Sequence, residues 1–179
     1  MPFKFERTDL NDVIVIEAKA FADERGLFKE IFKTTDFCDS GIPYAFVQDN
    51  VSKSQKNVLR GLHFQRPPYA QGKIVGVMSG KVLDVAVDLR KGSPTYGEYV
   101  MQELSFDNNR MLWVPPGFAH GFLALEESIV HYKVTSVYNK ESEGGIIWND
   151  PIVKVNWPIE HPLLSAKDEM WGSSKGVYL

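Results

Sequence analysis

The sequence holds one cysteine, Cys38, among its 179 residues. An internal disulfide is therefore excluded, and so is a zinc cluster built on thiolates. No apolar run is long enough to cross a bilayer. The opening "MPFKFERTDLND" lacks the apolar core of a secretory signal, so the expected location is the cytoplasm, away from membranes. Basic residues form no tail or stripe. The 20 Lys and Arg are balanced by 23 Asp and Glu, for a net charge of -3, which argues against a nucleic-acid partner. No Gly-x-Gly-x-x-Gly and no phosphate loop marks a nucleotide cofactor. No Gly- or Ser-rich linker and no repeat divides the chain, so residues 1–179 are expected to form a single domain with a sizeable core. Helix signals are also scarce. "TTDFCDSG" offers a threonine cap and a closing glycine, and "SAKDEMW" a serine cap with Asp168 three residues on.

What the chain has in quantity is a period of two. In "KVLDVAVDL", Leu83, Val85, Val87 and Leu89 share one parity, and Val82, Asp84, Ala86 and Asp88 the other. That is a strand with one apolar and one mixed face. Segments 13–18, 26–33, 44–51, 73–80, 96–104, 111–116, 121–127 and 128–138 also read as strands, each ending at turn residues. Many short strands with little helix predict an all-β barrel or double-sheet jelly roll, with a few short helices. The proline-rich, aromatic tail from Pro151 is expected to pack over it. A barrel of this size can hold one small ligand, so polar residues of inward parity are the candidates for chemistry.

In "YAFVQDNV", Tyr44, Phe46, Gln48 and Asn50 share a parity and Asp49 lies opposite. The pattern fits an interior opening to a polar ligand, and equally a strand end entering solvent. In "SIVHYKVTSVY", Tyr132 shares a face with Val130 and Val134, which places His131 and Lys133 on the other side. Strict alternation separates Arg60 from His63. For both to serve one site the strand must bulge, and Gly61 is the expected place.

Pro115-x-Gly117-x-x-His120 in "WVPPGFAHGF" resembles the second motif of the cupin superfamily of jelly-roll barrels. Metal-binding cupins usually carry a first motif with two histidines one residue apart and a following glutamate. In "GLHFQRPPYAQGK", His63 is present, Gln65 stands in the second position, and no glutamate precedes Lys73. Two histidines are a thin ligand set, and a nearby lysine repels a cation. No metal is therefore expected, and a metal-dependent cupin oxygenase is the reading set aside. Without a metal, His63, His120, Lys73, Tyr132, Asp168, Arg25 and Arg60 supply a base, an acid and an oxyanion holder. That set suits proton abstraction beside a carbonyl.

From "FADERGLFKE" through "FVQDNVSKSQKNVLRGLHFQ", "QGKIVGVMSGKVLDVAVDLRKGSPTYGE", "WVPPGFAHGF", "HYKVTSVYN" and "EGGIIWNDP" to "LSAKD", the chain resembles the dTDP-4-dehydrorhamnose 3,5-epimerases. These are cupin-fold enzymes of deoxysugar nucleotide biosynthesis. The resemblance implies cofactor-free epimerisation at C3 and C5 of dTDP-4-dehydro-6-deoxy-D-glucose. It implies His63 as base with Asp168 as its partner, Lys73 at the enolate oxygen, and Tyr132 as the acid on the opposite face. Arg25 and Arg60 match diphosphate contacts, and Gln48, Asp49 and Asn50 a nucleotide-contacting segment. Phe21, Glu30, His120, Tyr138, Glu143 and Lys167 fall on further binding positions. Asp49, on the outer parity, is expected to act through its backbone, and solvation is the plain alternative for Glu143 and Lys167. The family also implies a homodimer in which N-terminal strands cross to the neighbour, which leaves open whether Arg25 serves its own or the other subunit's pocket. An epimerase acting at one carbon, and a non-catalytic sugar-nucleotide-binding cupin, are the alternatives within the fold.

Overall fold

The structure is a computed structural model that describes residues 2–179. Two antiparallel sheets face each other and enclose the core, as the strand-rich pattern predicts. One sheet has six strands: β1 (Phe3–Arg7), β2 (Ile14–Ala18), β10 (Arg110–Val114), β7 (Lys73–Ser79), β12 (Ser128–Val134) and β5 (Gln48–Ser54), in that spatial order. The second has five: β13 (Glu143–Gly145), β6 (Leu59–Gln65), β11 (Phe118–Ala124), β8 (Lys81–Asp88) and β9 (Tyr99–Ser105). A separate hairpin, β3 (Ala20–Asp23) with β4 (Gly26–Lys29), stands outside both sheets. Two short helices, α1 (Thr34–Asp39) and α2 (Ala166–Glu169), complete a jelly-roll barrel of the cupin type.

The interior between the sheets is packed by Val75, Val77, Val82, Ala86, Leu112, Phe118, Phe122 and Val130, with Tyr132 against them. Strand β8 shows how its two parities are used. Its apolar face, Val85, Val87 and Leu89, turns outward and is covered by Val153, Val155 and Trp157 of the tail. The mixed face looks into the barrel, where Asp84 is fully buried. The tail is pinned by Asp150, whose carboxylate accepts from the Ser174 backbone at 2.7 Å and the Ser174 hydroxyl at 2.9 Å.

Four sequence expectations need correction. Residues 44–47 are not strand. Pro43 precedes them, and Tyr44 and Phe46 pack on Trp113 on the outer side of the six-stranded sheet. The ladder starts at Gln48, so Tyr44 and Phe46 share no face with Gln48 and Asn50. β12 ends at Val134 rather than Tyr138, and β4 ends at Lys29 rather than Lys33. α1 is capped by Lys33 with no side-chain bond, so neither threonine caps it. α2 does have the expected cap, with Ser165 Oγ accepting from the Asp168 amide at 3.2 Å.

Candidate active site

A cavity of about 490 Å³ opens between the sheets. Strand β6 supplies one wall. The pairing of β6 with β11 slips between His120 and Phe122, so that Phe122 faces Arg60 while His120 faces His63. The irregularity centres on Gly61, whose φ is +123°. A Cβ there would lie 2.6 Å from the Gly121 Cα, so only glycine fits. The bulge rotates the strand by the one residue needed for Arg60 and His63 both to line the cavity.

His63 meets Asp168, carried by α2, with Nε2 donating to Oδ1 at 2.5 Å. The other carboxylate oxygen accepts from the Ser165 hydroxyl at 2.7 Å. Burial disfavours the Asp168 anion, but the hydrogen bonds from His63 and Ser165 outweigh it and hold the carboxyl below its usual range. An ionised Asp168 fixes the tautomer. Nε2 carries the proton and Nδ1 keeps a lone pair. The edge of the His63 ring packs on Trp171, with centroids 6.1 Å apart.

Lys73, at the start of β7, lines the same cavity and is 8% exposed. Burial lowers its pKa to about 8, against the opposing pull of Asp84 and Glu143. Tyr132 on β12 faces the cavity, and burial raises its phenol, partly offset by Arg60. The phenol is thus a protonated donor at neutral pH.

A second histidine–carboxylate pair lies beside the first. His120 Nε2 donates to Asp84 Oδ1 at 2.8 Å. Burial pushes His120 down despite Asp84, which keeps the ring neutral near pH 7. Asp84, which supports His120 from behind the cavity lining, was missed by motif reading. An aspartate on the mixed face of a strand reads as solvent-facing. The available signal was its parity with Val82 and Ala86.

At the rim, Glu143 accepts from Lys167 at 2.6 Å and from the Tyr138 hydroxyl at 3.0 Å. These bonds outweigh burial and lower the Glu143 carboxyl. Glu143 and Lys167 are therefore paired at the cavity rather than simply solvated. Gln48 donates to Asn50 at 2.8 Å and accepts from the Tyr138 amide at 3.0 Å. Arg60 is braced by Ser54 at 3.0 Å. Gln65, Gln71, Ser52 and Ser165 also line the cavity and were not singled out from the sequence.

Four candidates lie elsewhere. Asp49 faces outward, paired with Lys133 at 2.7 Å and His131 at 3.0 Å. Its parity determines this. Phe21 and Arg25 sit on the β3–β4 hairpin, where Arg25 is exposed and paired with Asp23 at 2.6 Å. Glu30 follows β4. None of the four lines this chain's cavity. Among the described residues, no three His, Cys, Asp or Glu side chains converge in a metal-ligating group.

The family model for dTDP-4-dehydrorhamnose 3,5-epimerase matches residues 7–175. A protein of that name from Shigella flexneri is 51% identical over 164 residues, spanning 90% of this chain and 91% of the relative. The crystal structure of dTDP-4-dehydrorhamnose 3,5-epimerase from Sulfolobus tokodaii is 48% identical and covers 99% of both chains with a TM-score of 0.93. A Legionella pneumophila dTDP-6-deoxy-D-glucose-3,5-epimerase in complex with dTDP-4-keto-L-rhamnose is 44% identical. Its TM-score is 0.94, over 97% of this chain and 93% of the other.

Proposed function

The chain belongs to the dTDP-4-dehydrorhamnose 3,5-epimerase family and is a carbohydrate epimerase, and from that premise we propose how this cavity carries out the reaction. The substrate is dTDP-4-dehydro-6-deoxy-D-glucose and the product dTDP-4-dehydro-L-rhamnose, on the route to dTDP-rhamnose. The C4 ketone makes the protons on C3 and C5 removable, because each carbanion delocalises as an enolate. His63 takes the proton at Nδ1, the ring nitrogen that Asp168 leaves free. Asp168 then stabilises the imidazolium. The Lys73 ammonium holds the developing oxyanion in a site poor in water. The Tyr132 phenol returns a proton from the opposite face, so that the centre inverts. The observation carrying this reading is that a carboxylate-held imidazole, a buried lysine and a protonated phenol line one cavity. No step requires a metal or a redox cofactor.

The rim binds the nucleotide diphosphate. Arg60 presents a guanidinium fork to phosphate. Gln48, Asn50, Tyr138, Glu143, Lys167 and His120 line the way in. Phe21, Arg25 and Glu30 are assigned to the pocket of a second subunit, with Asp49 contributing through its backbone alone. The exposure of Phe21, Leu27 and Phe28, at 50%, 46% and 66%, is what a strand hairpin exchanged within a homodimer explains, because the neighbour covers that apolar surface. A chain that sediments as a monomer at micromolar concentration ends this assembly reading. Among the described residues, no helix is long and apolar enough to cross a membrane.

Incubation with the 4-keto nucleotide in heavy water tests the reaction. NMR is expected to show deuterium at both C3 and C5, with inversion. Label at one carbon identifies a single-site epimerase, and binding without label identifies a non-catalytic relative. In the same assay Tyr132→Phe is expected to retain exchange while losing inversion by about 10²-fold or more. Equal losses of both mean that the phenol only positions the sugar.

A further inference from the structure

We infer that Asp84, buried beneath the cavity lining, is a positioning residue that holds the Lys73 ammonium charged through space while fixing the His120 ring by direct hydrogen bond. The inference rests on the reaction proposed above for its meaning, but on geometry for its content. Lys73 and Asp84 project into the barrel from opposite sheets, on β7 and β8. Asp84 is 0% exposed and does not line the cavity, so it has no access to substrate. One of its oxygens accepts from His120. Its other oxygen, Oδ2, is buried and has no hydrogen-bond partner among the described residues. An orphaned carboxylate oxygen in such a place is costly unless a nearby cation answers it.

Lys73 is the complementary orphan. It is buried, and no described residue hydrogen-bonds its ammonium. His120 on β11, His63 and Arg60 on β6, Tyr132 on β12, and Asp168 and Lys167 on α2 share its surroundings with Asp84 on β8 and Glu143 on β13. Of the three carboxylates, Asp168 is bound to His63 and Ser165, and Asp84 pulls on Lys73 more strongly than Glu143 does. Glu143 is already neutralised by Lys167 at the rim. Asp84 is therefore the uncompensated negative charge available to a lysine that burial drives toward the neutral amine. A direct ion pair would occupy the ammonium. A carboxylate at one remove keeps the charge and leaves the N–H groups free for an oxyanion. The same residue fixes the neutral His120 with its proton on Nε2, which leaves Nδ1 as an acceptor for a sugar hydroxyl.

The test is Asp84→Asn. Asparagine can still accept from His120 Nε2, so the substitution removes charge and little else. In enzyme carrying ¹³C at lysine Cε, with K73R to assign the resonance, the Lys73 titration midpoint is expected to fall by about one pH unit. The alkaline limb of kcat/KM should move down with it. E143Q should move the midpoint less. A merely structural role lowers kcat by one factor at every pH and leaves the midpoint in place. An unmoved or raised midpoint in folded D84N overturns the inference. Should D84N fail to fold, D84S, which also deletes the charge, is titrated in its place. A lowered midpoint in a protein that turns over no 4-keto sugar nucleotide condemns the proposed reaction and leaves the Asp84–Lys73 coupling standing.

Discussion

His63→Asn is expected to abolish proton exchange at both C3 and C5, lowering kcat by about 10³- to 10⁴-fold, with little change in affinity for the sugar nucleotide. Asparagine deletes the base and is too short to reach Asp168 from where Nε2 stands, so retained binding of the sugar nucleotide is what shows that the pocket survives and only the base is lost. Asp168→Asn should approach the same loss by another route. Its amide can donate to Nε2, and the ring proton then moves to Nδ1 and blocks the nitrogen that takes the substrate proton. The two variants together separate chemistry from scaffolding. If H63N still washes label into either carbon, a different base serves that carbon. If D168N is fully active, the hydrogen bond at 2.5 Å does not set the tautomer. Loss of label in both, with inhibitor binding retained as measured by calorimetry, is the expected pattern.

How much of this was legible in the sequence differs from element to element. The alternation along β8 was plain, and so was its division into an apolar and a mixed face. Which face looks inward was not, because that depends on the tail. Val153, Val155 and Trp157 fold back and cover the apolar side, and a local pattern carries no information about a segment some seventy residues later. The slip at Gly61 was legible from the conflict between Arg60 and His63, since only a bulge lets both serve one site. The false strand at residues 44–47 failed for the opposite reason. Its aromatic alternation is real, but it is used in packing on Trp113 rather than in a ladder. In the site, parity alone separated Gln48, Asn50 and Tyr132 from Asp49 and His131. Convergence of β5, β6, β7, β12 and α2 on one cavity is tertiary, and only the family resemblance anticipated it. Asp84 escaped because a buried aspartate is rare, and its burial is supported by a histidine on the neighbouring strand.

Lys73→Met is expected to lower kcat by about 10²- to 10³-fold and, at the same time, to raise the melting temperature. The loss of rate follows from removing the cation beside the oxygen where charge develops. The gain in stability follows because the cost of burying that cation outweighs the attraction of Asp84 and Glu143 that is lost with it. An ordinary lysine titrates near 10.5, and burial brings Lys73 to about 8. Below pH 8 the ammonium is charged in both the folded and the unfolded chain, so the folded state carries the full desolvation cost. Between about 8 and 10.5 the unfolded chain binds more protons than the folded one, and stability rises with pH. The gap corresponds to on the order of 3 kcal/mol at neutral pH. Methionine has a similar length and no charge, so K73M escapes this cost and loses the rise with pH. Activity of the wild-type enzyme should run the other way, declining as pH passes through about 8 and the ammonium is lost. Denaturant unfolding of both proteins at pH 7 and pH 10, with kcat measured across the same range, checks the two signs together. A K73M protein that is both inactive and less stable would mean that Lys73 supports the fold. One that is more stable and fully active would remove the ammonium from the chemistry.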